Sequence, residues 1–147
     1  MQKGKSVPFE TTLLVRDTCL CLHVQRAARA LARLFDDALR PVGLTSGQFS
    51  LLMSLNRPHP PTMKDVAEVL AMDRTTLTAA LKVLERNGWV VITPDEEDRR
   101  SKRLALTKEG SGVLASAVPI WKKTHGEIDA KLPDAGDRLR KDLMALV

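Results

Sequence analysis

Two short helical patterns separated by only two residues constrain this chain more than any other feature of its sequence. Thr62 is a good helix N-cap with Asp65 three residues later, and Asp73 is a second good N-cap. Only Ala71 and Met72 stand between the two helices, so the chain must turn sharply there. The residues expected to face inward are Met63, Val66, Ala67, Leu70, Leu77, Leu81 and Leu84. The spacing predicts a helix–turn–helix whose second helix covers 73–87.

The hydrophobic period changes from helical to strand-like directly after this pair. Asn87-Gly88 is a helix C-cap pattern, and the bulky run at 89–92 predicts a strand. A polar turn over 94–101 follows, and the alternating residues 103–106 predict the returning strand. Two helices followed by a hairpin form a winged helix–turn–helix. We therefore expect a mainly α fold with a small β-hairpin, the wing, over 93–103.

Longer helical patterns lie on both sides of this part. From 16 to 40, apolar residues recur at alternating spacings of four and three, until Pro41 ends the pattern. These residues are Leu20, Val24, Ala27, Leu31, Leu34 and Ala38. These residues form a seam, that is, a row of apolar side chains along one face of the helix. A seam this regular often packs on a partner helix. Thr45 and Gln48 predict a capping box for a further short helix. After the hairpin we expect a long helix that contains Pro119 and a last helix that Pro133 begins.

Polar and basic side chains gather on the outer face of the second helix and at the hairpin tip. On the helix they are Arg74, Thr75, Thr76, Thr78, Lys82 and Arg86, and at the tip Arg99, Arg100, Lys102 and Arg103. A helix fits the major groove of DNA, and arginines suit the narrow minor groove. The neighbouring Asp98 fits a carboxylate that holds an arginine by charge-assisted hydrogen bonds. The alternative is an ordinary solvated helix face and basic turn, but the helix–helix–hairpin context favours double-stranded DNA.

Composition excludes several other classes of function. The 23 basic and 18 acidic residues give a net charge of +5, which agrees with nucleic acid as a partner. The aromatic share of 3% without tyrosine disfavours binders that stack bases. No apolar run approaches the roughly 20 residues of a membrane helix, and the N-terminus lacks the apolar region of a signal peptide. We find no phosphate loop, zinc motif or nucleophile elbow. We expect a cytoplasmic protein without enzyme activity, cofactor or membrane partner.

Three stretches resemble the MarR (multiple antibiotic resistance regulator) family. Residues 95–110, DEEDRRSKRLALTKEG, are similar to its wing signature. Residues 73–78 resemble the start of its recognition helix, and residues 43–49 the entry to its second helix. The resemblance implies that 1–147 is one domain of a dimeric transcription factor, usually a repressor.

The family's organisation implies a role for each part of the chain. Dimerisation helices would cover 16–40 and 108–147, and the part over 45–107 would read an inverted repeat with half-sites roughly 10 bp apart. Arg100 would be the wing-tip arginine, and Asp98 the aspartate that orients it. A small, often aromatic effector would release the DNA. The candidate pocket residues are His23, Arg29, Phe49, Met53 and Trp121, for which ordinary core packing is the alternative.

The two cysteines leave several interpretations open. Cys19 and Cys21 lie two apart on a predicted helix, so they face different sides and are not expected to bond to each other. Burial in the dimer interface as small hydrophobic residues is the simplest interpretation. The alternative is an oxidant-sensing repressor, since Cys21 matches the position of the reactive cysteine in the peroxide-sensing branch of the family, although this chain lacks the tyrosines of that branch. A metal site with His23 is disfavoured, and we predict none.

A third possibility belongs to a different class of function. The same fold could serve as an adaptor that contacts proteins and does not bind DNA. The arginine-dense wing at 99–103 disfavours that interpretation.

Overall fold

The structure, a computed structural model that describes residues 4–147, divides the predicted first helix at Cys19. Helix α1 covers Phe9–Thr18 and helix α2 covers Leu20–Leu39. Between them Cys19 has an extended backbone with ψ of 109°, and its sulfur accepts a hydrogen bond from the backbone N–H of Leu22 at 3.5 Å. The sulfur takes the place of an N-cap oxygen. The single helix predicted over 16–40 is therefore wrong at its N-terminal end.

The chain forms two compact units that divide inside α2, after Leu34. The first unit contains α1 and the larger part of α2. The second contains, in order, a 3₁₀ turn at Arg40–Val42, α3 (Ser46–Leu55), α4 (Met63–Leu70), α5 (Arg74–Arg86), β1 (Val90–Pro94), β2 (Lys102–Leu106), α6 (Lys108–Asp129), a second 3₁₀ turn at Pro133–Gly136, and α7 (Asp137–Met144). The prediction of a mainly helical fold with a β-hairpin after the helix–turn–helix is confirmed.

Side-chain caps begin the short helices where the sequence predicts them. At α3 the Thr45 hydroxyl accepts a hydrogen bond from the Gln48 backbone at 3.2 Å, and the Gln48 side chain accepts one from the Thr45 backbone at 3.0 Å. Thr62 and Asp65 form the same reciprocal box at α4, with both distances 3.1 Å. Asp73 caps α5. Local hydrogen bonding therefore sets where each helix starts.

The core of the second unit is formed mainly by leucines. On α5, Leu77, Leu81 and Leu84 are fully buried, and they belong to the same cluster as Leu52 of α3 and Leu104 of β2. Each such side chain contributes roughly 1.5–3 kcal/mol by its removal from water. The buried face of α5 thus fixes which of its faces remains in solvent.

A third extended segment joins the hairpin to the helices. The hairpin pairs antiparallel from Val90 with Leu106 to Pro94 with Lys102. On the other side of β2, the backbone N–H of Leu104 donates to the carbonyl of Pro61 at 3.0 Å, and Thr62 and Arg103 form a β-bridge. The base of the hairpin is therefore tied to the loop that precedes α4.

Thr107 joins the hairpin to α6. Its hydroxyl accepts from the backbone of Gly110 at 3.0 Å and donates to the carbonyl of Gly88 at 2.6 Å. Its backbone N–H donates to Trp89 at 3.0 Å. Gly110 is buried so close to Trp89 that a Cβ there would overlap the Trp89 carbonyl group. A glycine is needed for this approach.

The last helix begins later than predicted. Pro133 starts a short turn instead of α7, and Asp134, Ala135 and Gly136 all have positive φ, of 52°, 51° and 80°. Arg140 holds this turn by donating to the carbonyl of Ala135 at 2.8 Å. The turn postpones the helix start to Asp137.

Within residues 4–147, no helix combines the length and apolar character that a membrane crossing requires.

Replacing two glycines of α6 should change stability in opposite directions. Gly110→Ala should lower the free energy of unfolding by about 3 kcal/mol or more, because the added methyl group meets backbone that cannot move away. Gly112→Ala is the matched control, since nothing lies within 4 Å of its Cβ position. It should stabilise the protein by up to about 1 kcal/mol through helix propensity. Urea unfolding measures both values, and a stable Gly110→Ala protein would contradict the packing described.

Acid should weaken the helix caps of α4 and α5. Hydrogen bonds from the backbone N–H of Thr62 and of Thr76 lower the pKa of Asp65 and Asp73, respectively. Because both pKa values are lower in the folded state, their contribution to stability is complete above about pH 4 and is lost as the pH falls below it. Asp73→Asn keeps a capping oxygen but does not titrate, so its stability should fall less than that of the wild type between pH 5 and pH 3. Thermal unfolding across this range checks the difference; equal losses would contradict it.

Candidate nucleic-acid interface

The N-terminus of α5 is built around Asp73. One carboxylate oxygen accepts from the backbone N–H of Thr76 at 2.8 Å, and the other accepts from the Thr76 hydroxyl at 2.8 Å. This cap orders the first turn, so Arg74 and Thr75 project from a fixed helix end. Thr76 is also predicted as a DNA contact, but its hydroxyl group already donates its proton to the Asp73 carboxylate.

The outer face of α5 carries the predicted polar stripe. Exposed side chains on it are Arg74, Thr75, Thr78, Lys82 and Arg86. Leu77, Leu81 and Leu84 on the opposite side are fully buried. The helix thus presents cations and hydroxyl groups along its solvent face, which is the arrangement that a groove-binding helix needs.

The tip of the hairpin is a compact turn held by its own backbone and by Asp98. Asp95 donates its backbone N–H to Ser101 at 2.9 Å, and Ser101 donates to the carbonyl of Asp98 at 2.9 Å. The Asp98 carboxylate accepts from the backbone N–H of Arg100 at 3.1 Å. The sequence predicts that Asp98 holds an arginine side chain, whereas the carboxylate holds the backbone of Arg100. The turn leaves Arg99, Arg100 and Lys102 exposed.

Arg103 differs from the other predicted wing contacts. Its Nε donates to Asp95 Oδ1 at 3.2 Å, and its Nη1 donates to the carbonyl of Pro60 at 2.9 Å. The side chain of Asp95 is only 16% exposed, whereas that of Arg103 is 38% exposed. Arg103 is therefore engaged within the protein. The hairpin register could have revealed this pair, because Arg103 stands opposite Thr93 and Asp95 follows two residues later.

The start of α5 and the wing tip border the same groove. A cavity of about 700 Å³ lies between them, and both Arg74 and Arg100 are among the residues that line it. Lys64 of α4 adds a third cation, while Glu68 and Asp98 supply carboxylates. The structure thus brings together the helix and the wing that the sequence predicts as one surface.

The candidate effector residues fall in both units. His23 and Arg29 line a shallow concavity of about 430 Å³ on α2, in the first unit. In the second unit, the ring of buried Phe49 stacks on that of Trp121, with centroids 6.1 Å apart. Met53 is 37% exposed. Of the five candidates, Phe49 and Trp121 form the pair whose rings stack.

Sequence reasoning missed a polar group beside Trp121. The ring of His125 stacks on Trp121 with centroids 4.7 Å apart, and its Nδ1 lies 3.2 Å from a carboxylate oxygen of Asp129. Arg140 of α7 donates to the other oxygen of Asp129 at 3.4 Å. These residues line a concavity of about 420 Å³ together with Lys122. The four-residue spacing of His125 and Asp129 on one helix could have indicated the contact.

Both cysteines are free thiols, and they differ in exposure. Cys19 is half-buried between α1 and α2, whereas Cys21 is exposed and accepts a hydrogen bond from the Gln25 side chain at 3.2 Å. The expectation that both lie on one helix is wrong at Cys19. Over residues 4–147, no group of three or more histidine, cysteine or acidic side chains is arranged to hold a metal ion.

Comparisons with known proteins agree with this geometry. The family model described as the MarR family matches residues 44–102. An HTH-type transcriptional regulator of Bacillus subtilis, YwoH, is 33% identical over 120 residues, which are 82% of this chain and 79% of YwoH.

Two solved structures extend the comparison. The transcriptional regulator MosR of M. tuberculosis, in complex with DNA, superposes with a TM-score of 0.81 at 40% identity over 88% of this chain and 93% of MosR. CouR of Rhodococcus jostii, bound to p-coumaroyl-CoA, has a TM-score of 0.73 at 25% identity over 87% of this chain and 90% of CouR. The fold, the exposed face of α5, the wing and these relatives together place the chain in the MarR family of DNA-binding transcriptional regulators.

Proposed function

We propose that this protein is a homodimeric repressor that binds an inverted repeat in double-stranded DNA and is released by a small molecule. The observation that carries the proposal is the groove that Arg74, at the start of α5, and Arg100, at the wing tip, line together. A helix end and an exposed arginine that line one groove suit a DNA backbone that passes between the major and minor grooves.

Each part of this surface has a distinct task in the proposal. Arg74, Thr75 and Thr78 enter the major groove and reach base edges, because the N-terminal residues of a recognition helix approach the bases. Lys82 and Arg86, further along α5, neutralise phosphates. Arg99, Arg100 and Lys102 place the wing in the minor groove, where the negative potential favours arginine.

Two exposed apolar faces support a dimer. In the first unit, Leu20, Val24 and Leu31 of the seam are 66%, 38% and 42% exposed. In the second unit, Leu139 and Leu143 of α7 are 47% and 38% exposed. Contiguous apolar faces of this kind mark interaction sites, and we assign them to a second copy of the chain. The dimer would carry twice the charge of +5 and place two wings on half-sites about 10 bp apart.

We place the effector in the concavity beside Trp121, in the second unit. Trp121 and His125 offer aromatic faces, and Lys122 and Arg140 offer positive charge. This combination suits a planar aromatic acid, and CouR, whose fold this chain resembles, is bound to p-coumaroyl-CoA. Release of DNA by added aromatic acids in a gel shift tests the assignment.

Replacing Arg100 tests the DNA-binding role of the wing. Arg100→Ala should weaken binding about ten- to hundredfold in a gel shift, since a specific arginine contact is worth about 1–3 kcal/mol. The DNA is a duplex that the wild type enriches from a random-sequence pool. Lys131→Ala removes the same charge from an exposed position after α6 and should bind as the wild type does. Unchanged affinity of a folded, dimeric Arg100→Ala protein would reject the wing contact.

A second candidate function is an oxidant-sensing repressor, which the exposure of Cys21 favours. In this hypothesis a peroxide oxygen is transferred to the Cys21 thiol, which gives a sulfenic acid and water or alcohol.

Peroxide added to a preformed DNA complex separates the two candidates. If Cys21 senses oxidants, peroxide should release the wild type and leave Cys21→Ser bound, and dithiothreitol should restore wild-type binding. Cys19→Ser is the matched control, because Cys19 is the half-buried thiol. Equal release of wild type and Cys21→Ser in the gel shift would reject the role of Cys21.

A further inference from the structure

We infer that Arg103 and Asp95, with the carbonyl of Pro60, form a clamp that positions the wing tip for DNA without touching DNA themselves. The inference rests on the proposed DNA binding by the wing. It gives Arg103 the role of a positioning residue in place of the direct DNA contact that its sequence position predicts.

Arg103 joins three separate segments of the second unit. Its Nε donates to Asp95, which directly follows the last residue of β1, while Arg103 itself lies in β2. Its Nη1 donates to the carbonyl of Pro60, in the loop between α3 and α4. Leu104 binds the neighbouring carbonyl of Pro61 through its backbone, so two consecutive residues of β2 hold two consecutive residues of this loop.

The planar guanidinium group is suited to this task. It offers donors in fixed directions, so one side chain can bind acceptors that lie on different segments. Asp95 is only 16% exposed, and an ion pair with one shielded partner is screened less by salt than a pair in open solvent. A lysine would keep the positive charge but would not reproduce the two directed contacts.

The clamp acts on the turn that carries the exposed arginines. The backbone of Asp95 closes the base of this turn by donating to Ser101 at 2.9 Å. The Asp95 side chain simultaneously ties that base to β2 and, through Arg103, to the loop before α4. Without this side-chain link, backbone bonds alone would set the angle of the tip, which bears Arg99 and Arg100. Lost orientation lowers affinity because the tip must then be ordered on binding.

The charge of Asp95 and its positioning role predict opposite effects on DNA binding when the carboxylate is removed. Removing a negative charge from a DNA-facing wing should strengthen binding if only electrostatics matters. If Asp95 positions the wing, the same change should weaken binding. Glu97 offers a matched comparison, because it lies in the same turn and is exposed, and its side chain makes no hydrogen bond or ion pair with any residue of 4–147.

Asp95→Asn should therefore weaken DNA binding, whereas Glu97→Gln should not. We expect Asp95→Asn to raise the Kd for the enriched duplex about three- to tenfold, and Glu97→Gln to leave it unchanged or lower it about twofold. Fluorescence anisotropy at two salt concentrations gives the Kd values, and circular dichroism confirms that both variants fold. Binding by Asp95→Asn that is as tight as that of Glu97→Gln would overturn the clamp.

Two further variants keep the test decisive if Asp95→Asn folds poorly. Arg103→Lys should raise Kd as Asp95→Asn does; wild-type affinity would mean that charge alone matters and would overturn the clamp. In an Arg100→Ala background, Asp95→Asn should raise the Kd by a much smaller factor than it does in the wild type, because the contact of the wing tip with DNA is already lost. An equal loss in both backgrounds would also overturn it. Absence of salt-sensitive duplex binding by the wild type would instead reject the proposed function.

Discussion

The hydrogen bond from the backbone N–H of Leu104 to the carbonyl of Pro61 connects the two parts on which the interface depends. β2 carries the wing, and the loop at Pro61 leads directly into α4, which turns into α5 through Ala71 and Met72. Leu104 is also fully buried in the core that holds α5. One residue thus couples the wing to the helix–turn–helix through its backbone and through its side chain. The segments that carry Arg74 and Arg100, which both line the groove, are therefore attached to each other near the base of the hairpin.

Most of the fold could be predicted from the sequence because local interactions decide it. The oxygen caps at Thr45, Thr62 and Asp73 start their helices where the residue types indicate. The break at Cys19 escaped prediction because a sulfur atom replaces the usual capping oxygen there. The late start of α7 escaped it because three consecutive residues with positive φ depend on a contact from Arg140, which no local pattern reveals.

The candidate site was predictable to a different extent on the helix and on the wing. On α5 the buried leucines determine the exposed face, so composition and spacing are sufficient to identify the stripe. On the wing, Arg99, Arg100 and Arg103 are the same residue type within five positions. Only the strand register distinguishes Arg103, which binds Asp95, from the exposed Arg99 and Arg100. The role of Asp98 likewise depends on turn geometry, since its carboxylate reaches the nearest backbone N–H before any side chain.

Three of the acidic residues of α5 and the wing are explained by the groups that they hold. Residues 73–108 hold 8 basic and 6 acidic side chains, a small excess for a surface that is proposed to bind a polyanion. Asp73, Asp95 and Asp98 are all engaged in holding backbone or an arginine in place. Their negative charge opposes DNA binding at long range, but it fixes the groups that bind at short range. In such an interface the binding groups are better oriented, but the long-range attraction to DNA is weaker. Its affinity should therefore depend more on the geometry of a few cations than on net charge.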